Sequence, residues 1–210
     1  MIDVLKYNLP DINLLEDTHP ELKFKTWQPD KIYLILGQSN SVNDSLNHEQ
    51  VEKDKITVYK RPSGGQTVIL SPNTLVLSTT VNASKFINPD VYFKTINNLI
   101  INVLQNTGIS NLHLKGISDI AIGEKKILGS AIYRNHHKVF YHAVLNVAER
   151  TDLMEKYIKH PQKEPDYRQG RSHSDFVTSL HAEGYQITLK YINYLFNNDY
   201  TNNRKPITNT

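Results

Sequence analysis

Residues 88–108 carry the strongest helical pattern of the chain, and they stand between two groups of short β-rich segments. Asn88 supplies an N-cap oxygen, Pro89 suits the first helical position, and Asp90 complements the positive helix end. Phe93, Ile96, Ile100, Val103 and Leu104 recur at helical spacing as one apolar stripe, and Gly108 can take the left-handed conformation that closes a helix. One inserted helix with strands on both sides, and further helices only near the end, excludes the regular strand–helix alternation of parallel α/β folds. The order predicts an α+β fold with a mixed or antiparallel sheet and packed helices.

Ahead of the helix, residues 22–27 and 31–36 are β-rich and flank Gln28-Pro29-Asp30, turn chemistry that predicts a hairpin. Residues 56–59 and 67–70 form a second pair around Arg61-Pro62-Ser63-Gly64-Gly65, and residues 75–81 extend the sheet. Behind it come strands at 112–115, 118–122, 127–134 and 139–147. The last alternates, with Val139, Tyr141, Ala143, Leu145 and Val147 on one face and Phe140, His142, Val144 and Asn146 on the other. Asn135-His136-His137 makes the turn before it. Helical patterns return at 153–158, from Ser174 onward behind the capping run Ser172-His173-Ser174-Asp175, and at 185–196. No linker divides the chain, so residues 1–196 read as one domain and the asparagine-rich residues 197–210 as a frayed end.

Two hundred and ten residues can bury a core without staples, and there are no cysteines to provide any. Their absence removes disulfides, cysteine-ligated zinc, iron–sulfur clusters and thiolate nucleophiles. Twenty-four Lys and Arg against 21 Asp and Glu leave +3, and the aromatics are scattered without basic interleaving, so no nucleic-acid partner is expected. No apolar run approaches the ~20 residues of a bilayer crossing, and the start Met1-Ile2-Asp3-Val4 mixes polar with apolar residues where a secretory signal would be continuously apolar. A soluble, cytoplasmic protein with no membrane partner is the expectation.

Phosphate loops, dinucleotide fingerprints, zinc-protease helices and serine elbows are missing from the sequence. Two segments nevertheless hold candidate chemistry. In Lys60-Arg61-Pro62-Ser63-Gly64-Gly65-Gln66-Thr67-Val68, two cations precede two glycines: a guanidinium can fork onto phosphate or carboxylate, and bare backbone can approach a ligand. An ordinary glycine turn with exposed basic neighbours reads equally from the pattern. In the second segment, Asp119 sits in an apolar strand and Lys126 precedes Ile127-Leu128-Gly129-Ser130-Ala131. The small residues Gly129, Ser130 and Ala131 would leave strand surface open to a ligand, and Asp119 could bind a metal ion or orient Lys126, or simply satisfy turn amides. His136 and His137 fall on a turn, whereas His142 is either a core histidine or a wall of a site.

Together and in order, Tyr33-Leu34-Ile35-Leu36-Gly37-Gln38-Ser39, the Lys60–Val68 turn, Ser118-Asp119-Ile120, Lys126-Ile127-Leu128-Gly129-Ser130-Ala131 and His142-Ala143-Val144-Leu145 resemble the lipoate–protein ligase A family, relatives of biotin protein ligases. The resemblance covers residues 22–180. It implies the catalytic-domain fold of that group, ATP with Mg²⁺, and lipoate as substrate. The implied reaction forms lipoyl-adenylate and then acylates a lysine of an acceptor lipoyl domain. Lys126 corresponds to the lysine that contacts the acyl carbonyl and phosphate. Arg61, Ser63, Gly64, Gly65, Gln66 and Thr67 correspond to the turn lining the acyl and phosphate pocket, with Gly129, Ser130, Ala131 and His142 around it. Asp119 corresponds to the acid of an Asn-Asp pair, with a role in holding Mg²⁺ or the adenylate.

Three positions depart from the family pattern: Gln66 replaces a third turn glycine, Ser118 replaces the Asn, and Ala143-Val144 replaces Gly-Thr after the histidine. The chain also ends soon after these motifs, without the accessory domain many such ligases carry, so a separate accessory protein is a possible partner. Two alternatives remain on this reading: a cysteine-independent lipoyl or octanoyl transferase fed with an activated acyl group, and a non-catalytic module that binds lipoate or a lipoyl domain. Finally, residues 160–173 hold two prolines and a glycine without apolar period, which predicts a surface loop. There Arg168 and Arg171 could bind a phosphate or an acidic acceptor domain and Tyr167 could cover an acyl tail as the loop closes, or the segment is an ordinary solvated connector.

Overall fold

The computed structural model describes residues 2–17, 23–83 and 88–202. In chain order the elements are β1 (Val4–Lys6), α1 (Ile12–Glu16), β2 (Lys23–Trp27), β3 (Tyr33–Leu36), α2 (Val42–Ser45), α3 (His48–Lys53), β4 (Thr57–Lys60), β5 (Val68–Leu70) and β6 (Thr74–Asn82). They continue with α4 (Pro89–Gln105), β7 (Leu112–Lys115), β8 (Asp119–Ile122), β9 (Lys125–Arg134), β10 (Lys138–Asn146), α5 (Asp152–Tyr157), α6 (His173–Phe176) and α7 (Leu189–Asn202). This is the α+β class the element order predicts, with two sheets rather than one. A four-stranded mixed sheet runs β1-β4-β3-β5, and a six-stranded antiparallel sheet runs β2-β6-β10-β9-β8-β7.

Neither early hairpin forms. β2 pairs with β6 in the large sheet, while β3 pairs with β4 and β5 in the small one, so Gln28-Pro29-Asp30 carries the chain from one sheet to the other. β4 and β5 flank β3 on opposite sides, which makes the Lys60–Val68 segment a crossover above the end of β3. The physical reason is burial: all four residues of β3 are buried, and a strand covered on both faces belongs in a sheet interior between two partners. Residues 75–81 likewise extend the large sheet, not the small one.

The capped helix forms as its ends dictate. The Asn88 side chain accepts from the Asp90 amide, Pro89 sits in the first turn, and Gly108 has φ +87°. Its stripe of Ile96, Ile100, Val103 and Leu104 packs with Tyr92 on Leu77, Tyr141 and Leu145 of the large sheet, beside Ile192 and Phe196 of α7. The other face of that sheet meets the small sheet through Val76 and Val144 against Tyr33, Ile35 and Leu70. Beyond the small sheet, Leu34, Leu36 and Val58 pack on Val51 of α3 and Tyr157 of α5. The result is a helix–sheet–sheet–helix stack whose middle layer, between two sheets, holds the site.

The expected late helices differ in extent. α6 is a single turn capped by Ser172, after which Val177 bridges to Lys126, so the helical run from Ser174 stops at Phe176. α7 starts at Leu189 and continues past Phe196 to Asn202, so the helix takes in residues 197–202. Leu22 and residues 203–210 lie outside the described residues. Among the described residues, no helix is long and apolar enough to cross a membrane.

Candidate active site

Antiparallel pairing places directly opposed residues on the same face, so the register of the large sheet defines which side chains look between the sheets. Asp119 opposes Gly129, Gly129 opposes Val144, and Val144 opposes Val76; in the next row Ala131 opposes His142 and His142 opposes Ser78. Gly129 and Ala131 thus leave the middle of this face low. Ser130 opposes Ala143 on the other face, where its hydroxyl donates to the Ser118 carbonyl at 2.6 Å. Over the low surface lies a cavity of about 540 Å³, within the range of small-molecule sites. Ile35, Val68, Leu70, Val76, Leu128 and Val144 give it an apolar wall. Arg61, Gly65, Gln66, Thr67, Asp119, Lys126 and His142 all line it, so the two segments singled out in the sequence meet in one place. Ser63 and Gly64 do not line it: Ser63 is buried and Gly64 is exposed on the turn.

Lys126 curls over Gly129. A Cβ on Gly129 would lie 2.6 Å from both Cε and Nζ of Lys126, so only glycine leaves room for the ammonium. Nζ is 2.9 Å from Asp119 Oδ1, with the lysine side chain 27% exposed and the aspartate 7%. The cation is therefore held by one carboxylate but still open to the cavity. Asp119 Oδ2 accepts from the Tyr167 hydroxyl at 2.7 Å.

Arg61 behaves differently from the phosphate-gripping cation expected of it. It is 3% exposed and its N–H groups donate inward: Nε to Ser63 Oγ at 3.0 Å, Nη1 to the Ile35 carbonyl at 3.0 Å, and Nη2 to the carbonyls of Gly64 and Gln66, both at 2.8 Å. Burial pulls its pKa down to about 10, which leaves it charged at neutral pH. Arg61 is thus a staple for the turn and a fixed positive charge behind it. The turn also depends on Gly37, where a Cβ would come within 2.0 Å of the Gly65 carbonyl oxygen, and on Asn40, whose Oδ1 accepts from the Gly37 amide at 3.0 Å and from Thr67 Oγ1 at 3.4 Å.

His142 is a wall of the cavity. Its Nε2 lies 2.6 Å from Ser63 Oγ. Ser63 Oγ accepts from Arg61 Nε and can donate its own proton to Nε2 when the neutral ring is protonated on Nδ1. Burial first, and then the Arg61 charge, push the imidazole pKa down to about 3, so it is neutral at physiological pH. The contact has the distance of a Ser–His nucleophile pair, but Ser63 is 1% exposed and faces away from the cavity, so the bond positions the ring. His136 and His137 are exposed on their turn, as the sequence indicates.

Residues 160–173 cover one side of the cavity, with Asp166–Arg168 as a 3₁₀ turn. Arg168 Nε donates to the Arg171 carbonyl, and the three guanidinium nitrogens of Arg171 donate to the carbonyls of Arg168, Glu124 and Tyr167. The two arginines hold the loop together instead of offering forks to phosphate. Tyr167 turns its ring onto Phe176, 5.0 Å between centroids, and does not line the cavity as a cover for an acyl tail. Gln66, the side chain in place of a glycine, donates from Nε2 to the Lys163 carbonyl at 3.0 Å and so ties the turn to this loop. Gly37 and Asn40 are site residues that sequence reasoning did not assign, and Tyr167, expected to cover an acyl tail, instead holds Asp119. Gly37 stands in a quoted motif and could have been found there.

As a resident metal site the cavity fits poorly. Both Asp119 oxygens are engaged, and among the described residues no group of three His, Asp or Glu side chains is placed to hold an ion.

A family model described as the lipoyl protein ligase A/B catalytic domain matches residues 14–195. The chain is 28% identical over 166 residues to lipoate-protein ligase LplJ of Bacillus subtilis, an alignment covering 75% of this chain and 49% of that protein, so it spans about half the length of this relative. Its fold is similar to that of a lipoate-protein ligase A solved with bound ATP, with a TM-score of 0.77 and 17% identity over 96% of this chain and 84% of the other. It is also similar to the bipartite lipoate protein ligase of Thermoplasma acidophilum, studied with its E2 lipoyl domain, with a TM-score of 0.76 and 16% identity over 96% and 82% of the two chains.

Proposed function

Because the chain belongs to the lipoyl protein ligase A/B catalytic-domain family, we propose that it activates lipoate with ATP and passes the lipoyl group to a lysine of an acceptor lipoyl domain. The observation that carries this reading is Lys126, the one lining cation whose ammonium is held by a single carboxylate and open to a cavity with an apolar wall. In the first step a lipoate carboxylate oxygen attacks the α-phosphorus of ATP; a P–O bond forms, the bond to the β-phosphate breaks, and pyrophosphate leaves. In the second the acceptor amine attacks the acyl carbonyl, the C–O bond to AMP breaks, and the amine loses its proton as the amide forms. Negative charge gathers on oxygen in both, which is what a preorganised ammonium stabilises.

Each part of the cavity has a task in this scheme. Lys126 turns from Asp119 to the acyl–phosphate junction, and the buried Arg61 charge adds to the positive potential beneath the turn. The bare backbone at Gly65 admits close approach of the ligand, while Ile35, Val76 and Val144 receive the acyl chain. Neutral His142 places no charge against that chain. No protein nucleophile is needed, which agrees with a chain without cysteine. A Mg²⁺ ion would accompany the nucleotide phosphates, and no step here runs through it.

For transfer we infer a lipoyl domain as acceptor and a second polypeptide as helper, on the likeness to the bipartite Thermoplasma ligase. The test is mass spectrometry of an isolated lipoyl domain incubated with lipoate, ATP and this chain, with and without the helper subunit of such a bipartite ligase. Acyl addition that needs ATP and is accelerated by the helper is the expected result. Modification without ATP, or none under any combination, would overturn the reading.

A further inference from the structure

Tyr167 lies 48 residues from Asp119 in sequence, on the covering loop, yet its hydroxyl reaches the carboxylate oxygen that Lys126 leaves free. We propose that Tyr167 is a positioning residue for Lys126: by holding Asp119 Oδ2 it fixes the carboxylate whose other oxygen aims the ammonium over Gly129. The inference rests on the reading of the cavity as a lipoate-activating site and extends it to a residue outside the cavity lining.

Three features make this contact directed. A carboxylate bonded at one oxygen can swing about its terminal torsion, which is broad for aspartate, and a second bond at the other oxygen removes that freedom. The tyrosine itself is immobilised: its ring packs on Phe176 at 5.0 Å, and its backbone carbonyl accepts from Arg171 Nη2 at 2.7 Å. Gly116, in the turn between β7 and β8, has φ +55° and lies against the loop, where an added Cβ would be in ordinary contact with Tyr167 Cε1 at 3.5 Å and Pro165 Cβ at 3.6 Å. Burial and the neighbouring Asp119 charge also raise the Tyr167 pKa, which keeps the hydroxyl a donor at all ordinary pH. When Lys126 turns toward an anionic substrate, the tyrosine bond at Oδ2 and the longer Ser118 hydroxyl bond at Oδ1, 3.4 Å, stay on the carboxylate. The loop's seat and the lysine's aim are thereby linked through one side chain.

Tyr167→Phe removes only the hydroxyl and leaves the ring on Phe176. The Lys126 ammonium can be followed by NMR in protein labelled with ¹³C,¹⁵N-lysine, its signal assigned by its loss in Lys126→Arg. In Tyr167→Phe the Lys126 signal should move to the position of exposed lysines, and kcat for lipoate-dependent pyrophosphate release should fall about tenfold while the KM values for lipoate and ATP hold within about twofold. Gln66→Gly, which frees the same loop at a different attachment, should leave the Lys126 signal in place. An unmoved signal in Tyr167→Phe, an unchanged kcat, or an equal displacement in Gln66→Gly would each overturn the proposal. If the unmodified protein releases no pyrophosphate with lipoate, the proposed function fails, while the signal still decides whether Tyr167 holds Lys126 through Asp119.

Discussion

Arg61 and Lys126 are both cations lining one cavity, on segments that read alike as candidate ligand-binding stretches, and the fold assigns them different work. Arg61 is buried with donors on three backbone carbonyls and one hydroxyl, whereas Lys126 has one carboxylate partner and an open face. Guanidinium geometry explains the division: five fixed N–H groups suit the gathering of several carbonyls, while a single ammonium on a flexible stem suits exchange of one partner for another. Saturation of donors, more than charge or position in a motif, separates the cation that staples the turn from the one proposed to act on substrate.

That contrast is open to attack by substitution. Lys126→Ala should lower the rate of pyrophosphate release by about 10²–10³ with the fold retained by circular dichroism. Near-normal turnover would remove Lys126 from its role. Arg61→Ala should act mainly on stability, because one buried and two part-buried carbonyls lose their donor; about 3 kcal/mol, or a fall in Tm of about 6–12 °C, is expected by calorimetry. Arg61→Lys should not restore it. If instead Arg61→Ala melts normally and loses only nucleotide affinity, the staple reading is wrong.

Smaller effects sharpen the same picture. His142 has its pKa depressed from an ordinary 6.5 to about 3, so the unfolded chain binds the proton more readily between those values and stability falls as pH drops below about 6.5. At pH 4.5 the loss is about 2.5 kcal/mol, and His142→Asn should flatten that part of the profile in denaturant titrations at several pH values. Smallest is Gln66→Gly, which removes one exposed hydrogen bond to the Lys163 carbonyl, worth about 0.5 kcal/mol. Trypsin should then cut after Lys163 about twofold faster, and an unchanged rate would show that the bond does not restrain the loop.

Local patterns carried the parts of this molecule that local physics decides. The capped helix and the alternating strand β10 are legible because caps and period lie within a few residues of each other. Sheet partners are not: Gln28-Pro29-Asp30 specifies a bend, but whether β2 or β4 lies beside β3 is settled by burial of β3 on both faces. The same limit divides the site. Asp119, Lys126 and Gly129 lie within a dozen residues on neighbouring strands and could be read together. Tyr167 is one of 12 tyrosines, in a loop without period, and only the tertiary fold brings it to Asp119. The role of Arg61 was hidden for a related reason, since its partners Ile35 and Gln66 come from both sides of a crossover that looked like a hairpin.

The central claim is that this cavity activates a carboxylate with Lys126 as its working cation, and single-turnover release of pyrophosphate from ATP tests it most directly. Release in the unmodified chain should depend on lipoate, fall by about 10²–10³ in Lys126→Ala, and stay within about tenfold of normal in Arg61→Ala assayed well below its melting temperature. Release that ignores lipoate, or an Arg61→Ala defect as deep as that of Lys126→Ala in folded protein, would contradict it.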